Sequence, residues 1–196
     1  MLLLTLVVTT MVATTAFADE TPETTFQKAT AFVLDSEGGY SDHVADTGGA
    51  TNYGVTQVAY DSWQDSLDKR RRPVSQIELW EVKGIYYAYW LEARCYEIEE
   101  VSPALAIAHF DWAINAGPSQ AMRTLQRCIG TEADGIWGPK TRAAFLKSDP
   151  AEVLEEYFER RERFYRSQPE ERRDAFLSGW LNRLDKLRNF LSDREE

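Results

Sequence analysis

The chain has 196 residues, with 22 Lys and Arg against 32 Asp and Glu, for a formal net charge of −10. That balance excludes nucleic-acid binding through a basic patch. A composition of 43% hydrophobic and 12% aromatic residues excludes a disordered chain and supplies the core of one compact unit.

Residues 1–18 carry no charged side chain, and the apolar run ends in Ala16-Phe17-Ala18. This pattern reads as a secretory signal peptide cut before Asp19, which implies export to the periplasm or beyond. No Lys or Arg precedes the apolar run, so an uncleaved anchor is the alternative. About 18 residues with several threonines make a poor bilayer span, and no second apolar run is long enough. Export opens an oxidising compartment to Cys95 and Cys128, the only two cysteines. One disulfide between them and two free, packed thiols are both compatible with the sequence. Neither the cysteines nor the two histidines show a zinc spacing, so no metal or other cofactor is expected.

Phe26, Ala29, Phe32, Val33 and Leu34 recur at helical spacing behind a cap at Thr24 or Thr25. Glu37 falls four residues after Val33, at the edge of this stripe and at the end of the helix. Burial and the negative end of the helix dipole both disfavour its anion, which predicts a carboxyl suited to general-acid work. The plainer alternative is a solvated glutamate before a Gly-Gly helix stop. Its neighbours favour the site. Gly48, Gly49 and Gly54 allow close backbone approach. Tyr40, Thr51, Asn52, Tyr53 and Gln57 supply hydroxyl and amide groups that hold a sugar or a water.

Thr56 caps a short helix carrying Val58, Ala59 and Trp63. Residues 68–73 read as a solvated basic loop, with a phosphate contact as the lesser alternative. Ser75 to Glu78 fits a capping box for a helix running to Glu92, broken at Gly84. Tyr86, Tyr87, Tyr89 and Trp90 at helical spacing read as core, as do Phe176 and Trp180. Ser102-Pro103 opens a helix of small apolar residues that Gly117 ends, with His109 half-buried on it. Asn115 at its close places an amide at a possible cleft. Pro118, Pro139, Pro150 and Pro169 mark further first turns. Six to eight helices make an all-α bundle, with any β structure confined to a hairpin within residues 40–56.

Ser36-Glu37-Gly38-Gly39-Tyr40 and Asp46-Thr47-Gly48-Gly49-Ala50-Thr51-Asn52-Tyr53-Gly54-Val55-Thr56 together resemble the signature of the glycoside hydrolase family 108 N-acetylmuramidases. The resemblance continues through Tyr86-Tyr87-Ala88-Tyr89-Trp90, Phe110-Asp111-Trp112-Ala113-Ile114-Asn115-Ala116-Gly117 and Gly179-Trp180-Leu181-Asn182-Arg183. It implies a lysozyme-like fold and hydrolysis of peptidoglycan glycan strands; the chain itself is expected to act as a monomer. In that chemistry Glu37 is the general acid, and Asp46 positions the water or stabilises the cation, with Asp42 as a rival. Thr51 holds the attacking water by analogy with lysozyme-like sites. Asn115 is the position that binds an N-acetyl group.

The stretch Asp134-Gly135-Ile136-Trp137-Gly138-Pro139-Lys140-Thr141 resembles the repeat loop of small peptidoglycan-binding helical domains. Trp137 is its candidate for substrate contact; a purely structural turn is the alternative. A catalytic lobe over residues 19–100 and a second helical lobe over 101–196 follow, packed as one unit because no linker separates them. Two other functions remain open at this point: a lytic transglycosylase working with one Glu, and a non-catalytic wall-binding protein.

Overall fold

The computed structural model describes residues 23–37, 39–40 and 50–192. The signal segment 1–18, its cleavage point at Asp19, and Asp42, Asp46, Gly48 and Gly49 lie outside the described residues. Helix α1 (Thr25–Ser36) opens as expected, with the Thr24 hydroxyl accepting from the Gln27 backbone and the Gln27 side chain accepting from the Thr24 backbone. Strands β1 (Thr51–Asn52) and β2 (Val55–Thr56) pair antiparallel, Thr51 opposite Thr56. The two residues between them, Tyr53 and Gly54, have φ of 51° and 70°, the left-handed pair that closes a tight hairpin.

Helix α2 (Gln57–Ser66) is capped by Thr56, again as expected. The start of α3 (Leu79–Glu92) is not as expected. Val74–Gln76 form a 3-10 turn, and the helix begins after Glu78, whose N–H donates to the Glu81 carboxylate. Glu81 is itself fixed from outside, by the Tyr60 hydroxyl and Arg72, and this tertiary anchor sets the helix start. Nor does α3 break at Gly84. The Trp63 ring lies where a side chain would project, 3.2 Å from the position of a Cβ, so glycine there serves packing. In the basic loop, Arg71 pairs with Asp65 and Arg72 with Glu81, so these charges face acids of the chain itself.

The one-turn α4 (Cys95–Ile98) precedes α5 (Pro103–Ala116), which Ser102 caps and Gly117 ends at φ 88°. Then come α6 (Pro118–Cys128), α7 (Pro139–Phe145), α8 (Pro150–Arg166) and α9 (Glu170–Ser192). The described residues thus hold nine helices, more than the six to eight expected. The additional ones are short, like α4 and α7, and too brief to register an apolar period.

Helix α5 is the axis of the molecule. Every residue from Leu105 to Ala113 is buried, against α1, α3, α4, α6 and α8. The core is continuous from Ala29 to Leu191. Helix α9 closes it by returning to α1, where Phe190 packs on Phe32 (ring centroids 5.1 Å apart) and Lys186 pairs with Asp35 at 2.7 Å.

Of the aromatic cluster on α3, Tyr86 and Trp90 are core, Tyr89 is half-buried and Tyr87 is exposed. Phe176 is exposed and Trp180 half-buried, not core as expected, because α9 is two-sided only towards its C-terminal half. His109 is fully buried rather than half-buried. Its Nε2–H donates to the Ala93 carbonyl at 3.0 Å, and Nδ1 accepts from the Tyr157 hydroxyl at 2.9 Å. Cys95 and Cys128 are free thiols, so the disulfide alternative is not formed. Burial pushes both thiols up, Cys128 to about 12.

Candidate active site

Glu37 is the residue that follows α1, and its N–H still donates to the Val33 carbonyl at 2.8 Å. Its side chain is about one-fifth exposed. The hairpin turn lies directly on it. A Cβ on Gly54 would stand 2.8 Å from Glu37 Cδ and 2.9 Å from Oε2, so the carboxylate would have to shift from its place beside Arg183. Glycine at 54 is favoured by its left-handed φ and by the carboxylate packed beneath it. The Tyr86 hydroxyl holds the turn from below by donating to the Tyr53 carbonyl at 2.7 Å. Burial raises the Tyr86 phenol well above its ordinary range, and the nearby charge of Glu37 adds to this.

The setting expected for Glu37, burial plus a helix end, omits its main partner. Arg183 on α9 donates from Nη1 to Glu37 Oε1 at 2.7 Å. The same guanidinium donates from Nη2 and Nε to Asp111 Oδ1, at 2.7 and 3.0 Å. Asp111 Oδ2 accepts in turn from Arg161 at 2.7 Å, and both Asp111 and Arg161 are fully buried. The Arg161 guanidinium also lies 4.9 Å from the Trp112 ring centroid. Two acids and two guanidiniums alternate, so the chain of charges is neutral as a whole. Burial pushes the Asp111 carboxyl up, but the two guanidiniums outweigh it and hold the group below its ordinary value. Burial likewise disfavours the Arg183 cation, and Asp111 and Glu37 reverse this and raise it.

The structure sorts the other expected residues. Thr51, Tyr53 and Gly54 sit on the hairpin that covers Glu37, and Tyr53 is partly exposed there. Tyr40, three residues beyond Glu37, is exposed. Asn115 is exposed one turn along α5 from Asp111, whose carbonyl accepts from its side-chain amide at 2.6 Å. Asn52 and Gln57 have structural contacts instead. The Asn52 amide donates to the Val74 carbonyl. Gln57 donates to Asp61 and to the Arg72 carbonyl, and accepts from the Val74 N–H, which uses its whole amide.

Trp137 lines a separate groove of about 450 Å3 with Arg94, Glu97 and Arg142. Its loop is a structural turn. Gly135, at φ 83°, donates to Gln126 Oε1, while Gln126 Nε2 lies 2.7 Å from Asp134 Oδ1 and 3.0 Å from the Ile136 carbonyl. Among the described residues no group of His, Cys, Asp and Glu is placed to hold a metal ion.

Arg183, Asp111 and Arg161 were not singled out by sequence reasoning. Asp111 and Arg183 occur in the short motifs quoted for the family resemblance. A charged Asp in the middle of an apolar helix was the one signal that called for a buried partner.

An acidic side chain thus lies beneath a glycine hairpin, in a mostly helical bundle built round one buried helix. Residues 30–117 match the family model described as Glycosyl hydrolase 108, and residues 120–185 match one described as Predicted Peptidoglycan domain. The resemblance read from the motifs is thereby borne out, and the two matches support a glycoside hydrolase that acts on peptidoglycan. The fold is similar to that in the structure of Brucella abortus SagA, with a TM-score of 0.75 and 29% identity over 86% of this chain and 94% of that one. No curated protein matches the sequence. Glu37 lies in the first matched region and Arg183 in the second, so the site is completed across the two.

Proposed function

We propose that the protein is an N-acetylmuramidase, hydrolysing the β-1,4 bond between N-acetylmuramic acid and N-acetylglucosamine with Glu37 as general acid. The supporting observation is the Glu37 carboxylate held between Gly54 and Arg183, with about one-fifth of its side chain still exposed. Departure of a glycosidic oxygen requires a proton, and Glu37 supplies it. Arg183 fixes the orientation of that carboxyl through its 2.7 Å contact with Oε1. Lysozyme is the type case for such paired-carboxylate chemistry, and the roles follow it. Asp46 takes the second carboxylate role, stabilising the cation or orienting water, and Thr51 holds that water. Asp111 is unsuited to it, being fully buried with both oxygens engaged by arginines.

The chain acts as a monomer of two packed lobes, over residues 19–100 and 101–196. It reaches the wall by export through its first 18 residues. Among the described residues no helix is long and apolar enough to cross a membrane.

Digestion of purified peptidoglycan by the wild type beside Glu37→Gln, with mass spectrometry of the fragments, tests the reading. Reducing muramic-acid ends that disappear in Glu37→Gln are expected. Fragments lighter by one water would make the protein a lytic transglycosylase. Wall binding without cleavage by the folded wild type would leave a binding module.

A further inference from the structure

Asp111 and Asn115 lie one turn apart on a single face of α5, and Trp180 and Arg183 lie three residues apart on α9. Followed away from Glu37, these two faces diverge into a pocket of about 330 Å3. Its walls include Trp112, Asn115, Tyr165, Gln168, Arg172 and Trp180. A second pocket of about 270 Å3 carries Thr124, Arg127, Arg160, Arg163 and Ser167. Gln120 and Phe164 line both, so the two pockets adjoin and together make a track across α6 and α8. The first is at the lower end of the size range of ligand sites, ~300–1,000 Å3, and the second falls just below it.

The chemistry of this track is unlike that of the surrounding surface. The chain carries a net charge of −10, yet no Asp or Glu lines either pocket. Arg160 and Arg163 are paired with Glu156, and Arg163 with Glu159 also. Arg172 and Arg127 have no carboxylate partner among the described residues; Arg172 donates only to the Gln168 side chain, at 3.4 Å. The Arg172 guanidinium is 5.9 Å from the Trp180 ring, which stacks on Tyr165 with centroids 5.2 Å apart. Two unpaired guanidiniums, amide and hydroxyl groups, and an aromatic wall suit an extended peptide that bears carboxylates.

We propose that this track binds the anionic stem peptide carried by the muramic acid of the substrate, while the glycan lies at Glu37. The proposal rests on the peptidoglycan-hydrolase reading and adds a determinant of specificity to it. Distance permits it: the track begins about one helical turn, ~5.4 Å, from Asp111. An extended peptide covers ~3.3–3.6 Å per residue, so a stem of a few residues spans from the sugar into both pockets. Because the whole molecule is acidic, attraction of an anionic peptide must be local, and the track supplies that local charge.

The test compares kcat/KM on glycan strands that bear stem peptides with kcat/KM on strands stripped of them by an amidase. The wild type is expected to favour peptide-bearing strands. That ratio is expected to fall about ten-fold in Arg172→Ala and further in Arg172→Ala/Arg127→Ala, as for loss of charge-assisted bonds to a carboxylate. Both arginines are exposed, so the variants should fold. An unchanged ratio in the double variant overturns the proposal. So does an equal loss on both substrates, which would place Arg172 on the sugar.

A second measurement does not need catalysis. Tryptophan fluorescence follows titration with a disaccharide-peptide and with the disaccharide alone. If the wild type cleaves neither strand, the muramidase reading fails and this titration decides alone. Weaker binding of only the disaccharide-peptide by the double variant upholds the track, and equal binding by both proteins refutes it.

Discussion

Arg183 Nη1 lies 2.7 Å from Glu37 Oε1 across a sequence separation of 146 residues, and the same guanidinium grips the buried Asp111. One side chain thus joins the last helix, the central helix and the end of the first. Replacing Arg183 with Ala leaves Asp111 with Arg161 alone in a water-free setting. Loss of one partner from such a pair should cost about 3 kcal/mol of stability, read from urea unfolding. Arg183→Lys retains a cation but not the fork that spans Glu37 and Asp111, so it should recover only part of the lost stability. An unfolding midpoint unchanged in Arg183→Ala would show that the pair does not hold the helices together.

Gly54→Ala should impair the site more than its size suggests. The new Cβ would meet Glu37 Cδ at 2.8 Å in a left-handed backbone. Strain of this kind costs of order 1–3 kcal/mol, and relief requires the carboxylate or the hairpin to move. Activity should fall by at least an order of magnitude, more than the unfolding midpoint alone explains. Gly84→Ala is the control, since its Cβ would meet the Trp63 ring at 3.2 Å and no atom of Glu37.

His109 should make the protein acid-sensitive well before its carboxylates titrate. Burial lowers the imidazole from 6.5 to about 4, against the favourable bond to Ala93 and with some help from Arg161. The unfolded chain therefore binds this proton more readily than the folded one. Stability from the neutral ring is complete above pH 6.5, declines as pH falls below it, and levels off near pH 4. Between pH 7.5 and pH 5 the loss should be about 2 kcal/mol, at roughly 1.4 kcal/mol per pH unit below the unfolded value. Urea titrations at the two pH values measure it, and His109→Gln should flatten the dependence.

The free thiols lead to a simpler expectation. Reductant should leave the thermal unfolding transition unchanged, because no bond is available to break. Cys95 is fully buried and held well above its ordinary thiol value, so it should react with a thiol reagent only at the rate of unfolding. A lowered transition temperature in reductant would point to a Cys95–Cys128 bond after all.

Local patterns account for much of this fold. The caps at Thr24, Thr56 and Ser102, the end at Gly117 and the proline starts all rest on contacts within a few residues, which a sequence displays directly. So does the two-residue hairpin, since Gly54 follows Tyr53 between short polar and β-branched residues. The errors fall where distant partners decide. Glu81 moves the start of α3 because Tyr60 and Arg72 hold it, and Trp63 makes Gly84 a packing glycine in an unbroken helix.

The site divides in the same way. Glu37 at the end of an apolar stripe, followed by a glycine-rich loop, was legible because helical period and backbone freedom are local properties. Asn52 and Gln57 carry the right functional groups, but only the folded chain brings Val74 and Arg72 to occupy them. By itself, the sequence determined an all-α bundle, its caps and the place of Glu37 at the end of α1. The tertiary structure decided what surrounds that residue: Arg183 from α9, Asp111 within α5, and a track lined from α5, α6, α8 and α9. Desolvated charges must be paired, and the partner that satisfies them is chosen by packing in space, which periodicity and spacing along the chain do not encode.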